Sequence, residues 1–296
     1  MYPTIFSLEI PFLNLTLEPR FYGLFYAICV LIAARIAQAE GHRRGIPLNQ
    51  EEVINYTLLM FLAGLVGGRS YEVIFEWTNY YTHQPWWKVF AVWEGGMAIH
   101  GAIILGPLSM IIYCKVKRVS LSSMLDISAL CMILAQAIGR WGNFSNGEAA
   151  GPVTEMWTGI SFPGGTAVDR YAHGDPVHPT MIYESLLNFV LFFMLWKLRL
   201  RNFRPGMIGA VYLLGYSAIR SSLSSLRMDN QFLVVGDTVI LAPYGISVIL
   251  SLTALTWIFN GKLWFREQVP AGESEDLSDP QKTVANISPS EIGRSS

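Results

Sequence analysis

Seven apolar stretches run along the chain at about residues 21–38, 55–75, 96–114, 121–140, 180–197, 206–224 and 239–260. Each comes close to the roughly 20 residues that an α-helix needs to cross a bilayer. The connections between them alternate in charge. The first carries Arg43 and Arg44 with Arg35 at the helix end; the third carries Lys115, Lys117 and Arg118. The fifth carries Lys197, Arg199, Arg201 and Arg204, and Lys262 and Arg266 follow the seventh stretch. The second, fourth and sixth connections hold Lys88, Arg170 and Arg227 alone, and Arg20 precedes the first stretch. Lys and Arg concentrate on the cytoplasmic side of membrane proteins. The pattern therefore predicts an all-α polytopic membrane protein of seven helices, N-terminus outside and C-terminus in the cytoplasm.

Three segments follow from the same reading. Residues 1–20, with apolar positions broken by Pro3, Pro11 and Pro19 and no basic leader, predict an interfacial lead-in rather than a cleavable signal. Residues 21–266 form the membrane domain. Residues 267–296 have no aromatic side chain and are rich in Ser, Pro, Glu and Asp, so a disordered cytoplasmic tail is expected. Of the two long outer connections, 76–95 and 141–179, the first carries Tyr80, Tyr81, Trp86, Trp87 and Trp93, as a headgroup-level aromatic belt would.

Composition agrees with this pattern. Hydrophobic residues make up 52% and charged residues 15%, against about 25% charged in soluble domains, and mean hydropathy is +0.35. A net charge of −1 excludes a broad basic surface for nucleic acid. That total hides a split: 19 Lys/Arg against 16 Asp/Glu in residues 1–266, and 2 against 6 in the tail. Cys29, Cys114 and Cys131 have no metal or disulfide spacing.

In so apolar a chain, the ionisable residues inside the stretches carry the information, since each costs roughly 2.5–3.5 kcal/mol at the bilayer centre. They are Arg69 and Glu72 in the second stretch, His100 in the third, Arg140 closing the fourth and Arg220 in the sixth. Arg69 and Glu72 are three residues apart and can partly compensate each other on one helix face. Arg140 and Arg220 have no carboxylate nearby in sequence. A guanidinium fork matches phosphate oxygens, so a phospholipid headgroup is the expected counter-ion; snorkelling, or bonding to backbone carbonyls, is the alternative. His100 is flanked by glycines that permit close backbone approach, and it is either a proton acceptor or a hydrogen-bonded helix histidine. The stretch Gly139-Arg140-Trp141-Gly142-Asn143-Phe144-Ser145-Asn146-Gly147-Glu148-Ala149-Ala150-Gly151 concentrates donors and an acceptor at the membrane edge, and reads as a re-entrant polar site.

That stretch closely resembles the signature of the prolipoprotein diacylglyceryl transferase family. Further segments follow in the family's order over about residues 20–255: Arg20-Phe21-Tyr22-Gly23-Leu24, Trp93 to Gly101, His178-Pro179-Thr180 to Tyr183-Glu184, and Tyr216, Arg220 and Arg227-Met228-Asp229. The resemblance implies transfer of diacylglyceryl from phosphatidylglycerol to the lipobox cysteine of a prolipoprotein, with a thioether formed, glycerol-1-phosphate released and no metal or organic cofactor. It implies catalytic roles for His100, Arg140, Arg220 and Glu148. Substrate binding falls to Tyr22, Asn143, Asn146, Gly151 and Tyr216, with Arg69 added from its position in the second stretch. The chain departs from the family where Ser224 replaces a frequent glutamate, Pro152 a frequent arginine and Ile246 a frequent glutamine, and where Asp126 to Ala129 lacks a usual proline. A weakened family member, and a seven-span transporter or anionic-lipid binder, are the competing classes; transporters commonly show paired repeats, which this sequence lacks.

Overall fold

The computed structural model describes residues 8–10, 15–17, 21–92, 96–228, 232–235 and 238–265. The expected disordered tail from Glu267, and most of the lead-in segment, lie outside the described residues. Two short antiparallel hairpins are present. Leu8–Ile10 (β1) pairs with Leu15–Leu17 (β2), Leu8 facing Leu17; Phe232–Val235 (β3) pairs with Thr238–Leu241 (β4), Phe232 facing Leu241. These strands are the departure from an all-α chain; helix makes up the rest of the regular structure.

The helices are α1 Phe21–Arg43, α2 Gln50–Phe75, α3 Ile99–Lys117, α4 Leu121–Asn146, the single turn α5 Asp169–Ala172, α6 Thr180–Leu198, α7 Met207–Ser224 and α8 Ala242–Gly261. Five of them, α1, α2, α4, α6 and α8, are long and apolar enough to cross a membrane. Of the other two long helices, α3 is strongly apolar and carries its polar residues His100, Lys115 and Lys117 near its ends, whereas α7 carries Arg220 with Ser217, Ser221, Ser222 and Ser224. Local chemistry sets the ends. Asn49 caps α2, its Oδ1 accepting from the Glu52 amide at 2.8 Å, with Glu51 and Glu52 facing the positive helix end. Helix α4 continues past residue 140 to Asn146, and Gly147 stops it at a φ of 62°.

Helix α4 is the central post. It packs on α1, α6 and α7 through a core containing Ile36, Leu130, Ile133, Leu191, Leu195 and Leu223. Helices α2 and α3 form a second pair that crosses at Gly67 and Gly101. A side chain on Gly101 would run into the Gly67 carbonyl, so only glycine permits this approach.

At one end of the bundle, two carboxylates are buried beneath basic residues. Glu40, 0% exposed, accepts from Arg43 at 2.6 Å and Arg199 at 2.7 Å, and Arg199 lies 3.6 Å over the Trp196 ring. Asp126 accepts from Arg44 at 2.9 Å and from the amides of Gly206 and Gly209 at 2.9 and 2.8 Å, capping α7. These contacts tie together the ends of α1, α4, α6 and α7. Arg43, Arg44 and Arg199 therefore have a second use beyond marking one side of the membrane. Replacing Glu40 with Ala leaves three guanidiniums without their common counter-charge. Because Arg43 still reaches water, the expected loss is about 3 kcal/mol, the low end for breaking a buried pair. Thermal unfolding in detergent reads it, and an unchanged midpoint would show that Glu40 is not structural.

Candidate active site

The polar signature is two helical turns followed by a tight turn. The fourth helix thus runs beyond its expected end at residue 140: Arg140 and Asn143 sit on the last turns of α4, three residues apart, and share one face. The Arg140 Nη1 donates to Asn143 Oδ1 at 3.1 Å. The Asn143 and Asn146 amide groups both donate to Glu148 Oε1, at 3.0 and 3.2 Å. Arg140, Asn143, Asn146 and Glu148 therefore form one continuous network.

The network extends across to α6 and beyond α7. Glu184, 2% exposed, accepts from Arg140 Nη2 on one oxygen and from Arg227 Nη1 on the other, both at 2.6 Å. These are short charge-assisted bonds in a nearly dry site. Arg140 thus has a carboxylate partner that is not near it in sequence. Tyr216 stacks on Tyr212 with ring centroids 5.9 Å apart, and it lies within electrostatic reach of Glu184, Arg220, Arg140 and Arg227. Among the described residues, two guanidiniums share the single Glu184 carboxylate, and Arg220 lies within electrostatic reach of the same Tyr216. Arg220 is half-buried on α7, and the Ser224 hydroxyl donates to the Arg220 carbonyl at 2.6 Å. Ser224 is fully buried, its hydroxyl bonded to the backbone of its own helix. Ile246 is 52% exposed.

Gly151 works through packing. A Cβ there would press on the Leu226 carbonyl, His178 and Thr180, so the bare glycine lets the segment carrying Arg227 lie against the turn after α4. The Gly151 amide donates to the His178 carbonyl at 2.8 Å, and the Tyr171 hydroxyl donates to the Gly151 carbonyl at 3.0 Å. Pro152 needs no N–H in this arrangement; its carbonyl accepts from the His178 amide at 3.0 Å.

His100 sits elsewhere. It is exposed in the first turn of α3, its ring stacked on Tyr71 at 5.2 Å, beside an open pocket of about 480 Å³ lined also by Glu72, Phe75, Glu76 and Met97. Among the described residues, no hydrogen bond joins His100 to the Arg140 cluster. Arg69 is also apart from that cluster and is committed to the protein: it donates to the carbonyls of Val89 and Gly96 at 2.8 Å each and to that of Lys88, under the Tyr81 ring. Arg69 thus fastens α2 to the segment preceding α3. Tyr22 lies in α1 by its backbone, and its side chain falls outside the described residues, as do Trp93, Glu94, Gly95 and Asp229.

Glu184 and Arg227 carry more of the site than sequence reasoning assigned to them. The rule that singled out the arginines applies equally to Glu184, the sole acid of a helix running Thr180–Leu198. Arg227 looks like a lone outer-loop charge until α7 is seen to end just before it.

The family model described as prolipoprotein diacylglyceryl transferase matches residues 10–260. Proteins named phosphatidylglycerol–prolipoprotein diacylglyceryl transferase are similar along most of the chain. The one from Parasynechococcus marenigrum is 37% identical over 266 residues, covering 85% of this chain and 92% of its own. Those from Halalkalibacterium halodurans and Gloeobacter violaceus are 35% and 36% identical, covering 88% and 81% of this chain and 86% and 88% of their own.

Substituting Glu184 by Gln removes the charge that Arg140 and Arg227 share, whereas Glu148→Gln removes one that accepts only from amides. The first change should lower the unfolding midpoint in detergent clearly more than the second. Equal effects would mean that Glu184 does not hold the two arginines together.

Proposed function

The chain belongs to the prolipoprotein diacylglyceryl transferase family, and from that premise we propose that it transfers diacylglyceryl from phosphatidylglycerol to the lipobox cysteine of prolipoproteins. The cysteine sulfur attacks the glyceryl carbon that bears the phosphate. A C–S bond forms, the C–O bond breaks, and the electron pair leaves with glycerol-1-phosphate while the thiol proton passes to a base. The observation that carries this reading is the gathering of Arg140 and Arg227 on the one Glu184 carboxylate, with Arg220 close by. A departing phosphate gains charge as the C–O bond breaks, and fixed guanidiniums stabilise that charge most where water is scarce.

Roles follow from placement. Arg140 and Arg220 hold the phosphate; Arg227 and Glu184 fix Arg140 in orientation. Asn143, Asn146 and Tyr216 offer hydrogen bonds to the headgroup, with Tyr22 at the start of α1. Glu148, already accepting from two amides, suits orienting the glycerol hydroxyls. His100, beside an open pocket, is the base for the peptide thiol, since only the thiolate is nucleophilic. Gly151 and Arg69 position the segments around these groups. No metal or organic cofactor enters the scheme.

Seven spans, with the N-terminus outside and the C-terminus in the cytoplasm, place the Arg140 cluster at the outer leaflet of the bacterial inner membrane. There the lipid's acyl chains stay in the bilayer and the translocated signal peptide arrives from outside. Purified protein mixed with phosphatidylglycerol and a lipobox peptide should yield a peptide heavier by one diacylglyceryl group. Arg140→Ala and Arg220→Ala should each lower the rate by about a hundredfold or more, the scale for removing a donor to developing charge. His100→Ala should remove the ascending limb of the pH–rate profile, and Glu148→Gln should keep it. Headgroup binding without any adduct would instead favour a lipid-binding protein; full activity in both arginine variants would remove the site assignment.

A further inference from the structure

A second polar pocket lies at the opposite end of the bundle from Arg140. It measures about 460 Å³ and is lined by Leu200, Arg201, Asn202, Phe203 and Trp264. Glu184 and Leu200 are sixteen residues apart along α6 and its last turn, a separation of about 24 Å at the helical rise. The pocket is therefore remote from the proposed reaction.

Its walls are ordered by backbone bonds. The Arg201 amide donates to the Leu198 carbonyl at 3.0 Å and the Phe203 amide to the Arg201 carbonyl at 2.8 Å, closing the turn after α6. On the other side, Leu263 is buried against Ala210 and Ala254, which anchors Trp264 next to it. Arg199, nearby, is spent on Glu40 and Trp196. Arg201 differs: it is exposed, and the described residues give it no ion-pair partner. Residues 185–228 and 242–266, which carry the pocket, contain no Asp or Glu, and the buried Glu40 and Asp126 at this end are taken by Arg43, Arg44, Arg199 and the amides that open α7.

We propose that this pocket binds the phosphate headgroup of an anionic phospholipid in the leaflet opposite the active site. Three properties converge on that ligand. The position is at the ends of two long apolar helices, α6 and α8, where headgroups lie. Trp264, 40% exposed, and Leu200, 66% exposed, offer apolar surface for the glyceryl and upper acyl region. Arg201 and the Asn202 amide offer donors to phosphate oxygens, the arrangement by which basic pockets between membrane helices hold lipid headgroups. The pocket volume lies within the ordinary range for a bound small group. This site rests on the reading of the chain as a membrane protein, and not on the transferase chemistry.

Native mass spectrometry of the full-length protein, released from detergent after exposure to phosphatidylserine or phosphatidylcholine, tests it. Phosphatidylserine supplies the anionic headgroup without being the proposed donor. Wild type should retain phosphatidylserine in preference to phosphatidylcholine. Arg201→Gln should weaken that retention about fivefold, the factor that one basic residue near an anionic surface contributes, and Trp264→Ala should weaken retention of both lipids. Arg201→Gln should keep transferase activity, so a failure here is distinguishable from a failure of the reaction scheme. Equal retention of the two lipids by wild type, the result expected if the chain's own acidic tail fills the pocket, would overturn the proposal. So would undiminished phosphatidylserine retention in Arg201→Gln.

Discussion

Glu184 shares its two oxygens between Arg140 and Arg227, each at 2.6 Å, and the geometry of the site depends on that sharing. In a nearly dry interior an unpaired guanidinium is costly, and one carboxylate facing two of them leaves a cation whose position is fixed. The carboxylate comes from the first turns of α6, one arginine from the last turns of α4 and the other from just beyond α7. The triad therefore joins the ends of three helices before any substrate arrives. Breaking it would release two arginines at once.

The opposite end is held by the same principle. There single acids, Glu40 and Asp126, gather several basic groups and the amides that open α7. Between these two polar layers the packing of α1, α4, α6 and α7 is mainly apolar, crossed by the Ser185–Ala137 and Gln136–Tyr212 hydrogen bonds. The α2–α3 pair relies on close backbone approach at Gly67 and Gly101 instead. It carries His100 on a separate scaffold. A reaction using both scaffolds needs a substrate that bridges them, as a lipid phosphate on one side and a peptide thiol on the other would.

Much of this is legible in the linear chain. The long helices show as apolar stretches because length and hydropathy are local properties. The importance of Arg140, Asn143 and Glu148 shows because polar residues at a membrane edge are costly. What stays hidden is pairing across distance: nothing near Arg140 in sequence announces Glu184, forty-four positions away, and Arg227 resembles an ordinary loop charge. Arg69 misleads for the opposite reason. Its isolation suggests an external anion, yet three carbonyls of the segment before α3 satisfy it. The extent of α4 is misjudged because the glycines and asparagines of its last turns resemble a loop, while continued helix hydrogen bonding overrides that preference.

The central claim is that the arginines gathered around Glu184 receive the phosphate of the lipid. Calorimetric titration of short-chain phosphatidylglycerol into the purified protein tests it most directly, with Arg201→Gln as background to remove the remote pocket. The expected result is saturable binding that phosphatidylcholine does not reproduce, that is lost in Arg220→Gln and that persists in Arg69→Gln. Binding unaffected by Arg220→Gln, or equal for the two lipids, would contradict it.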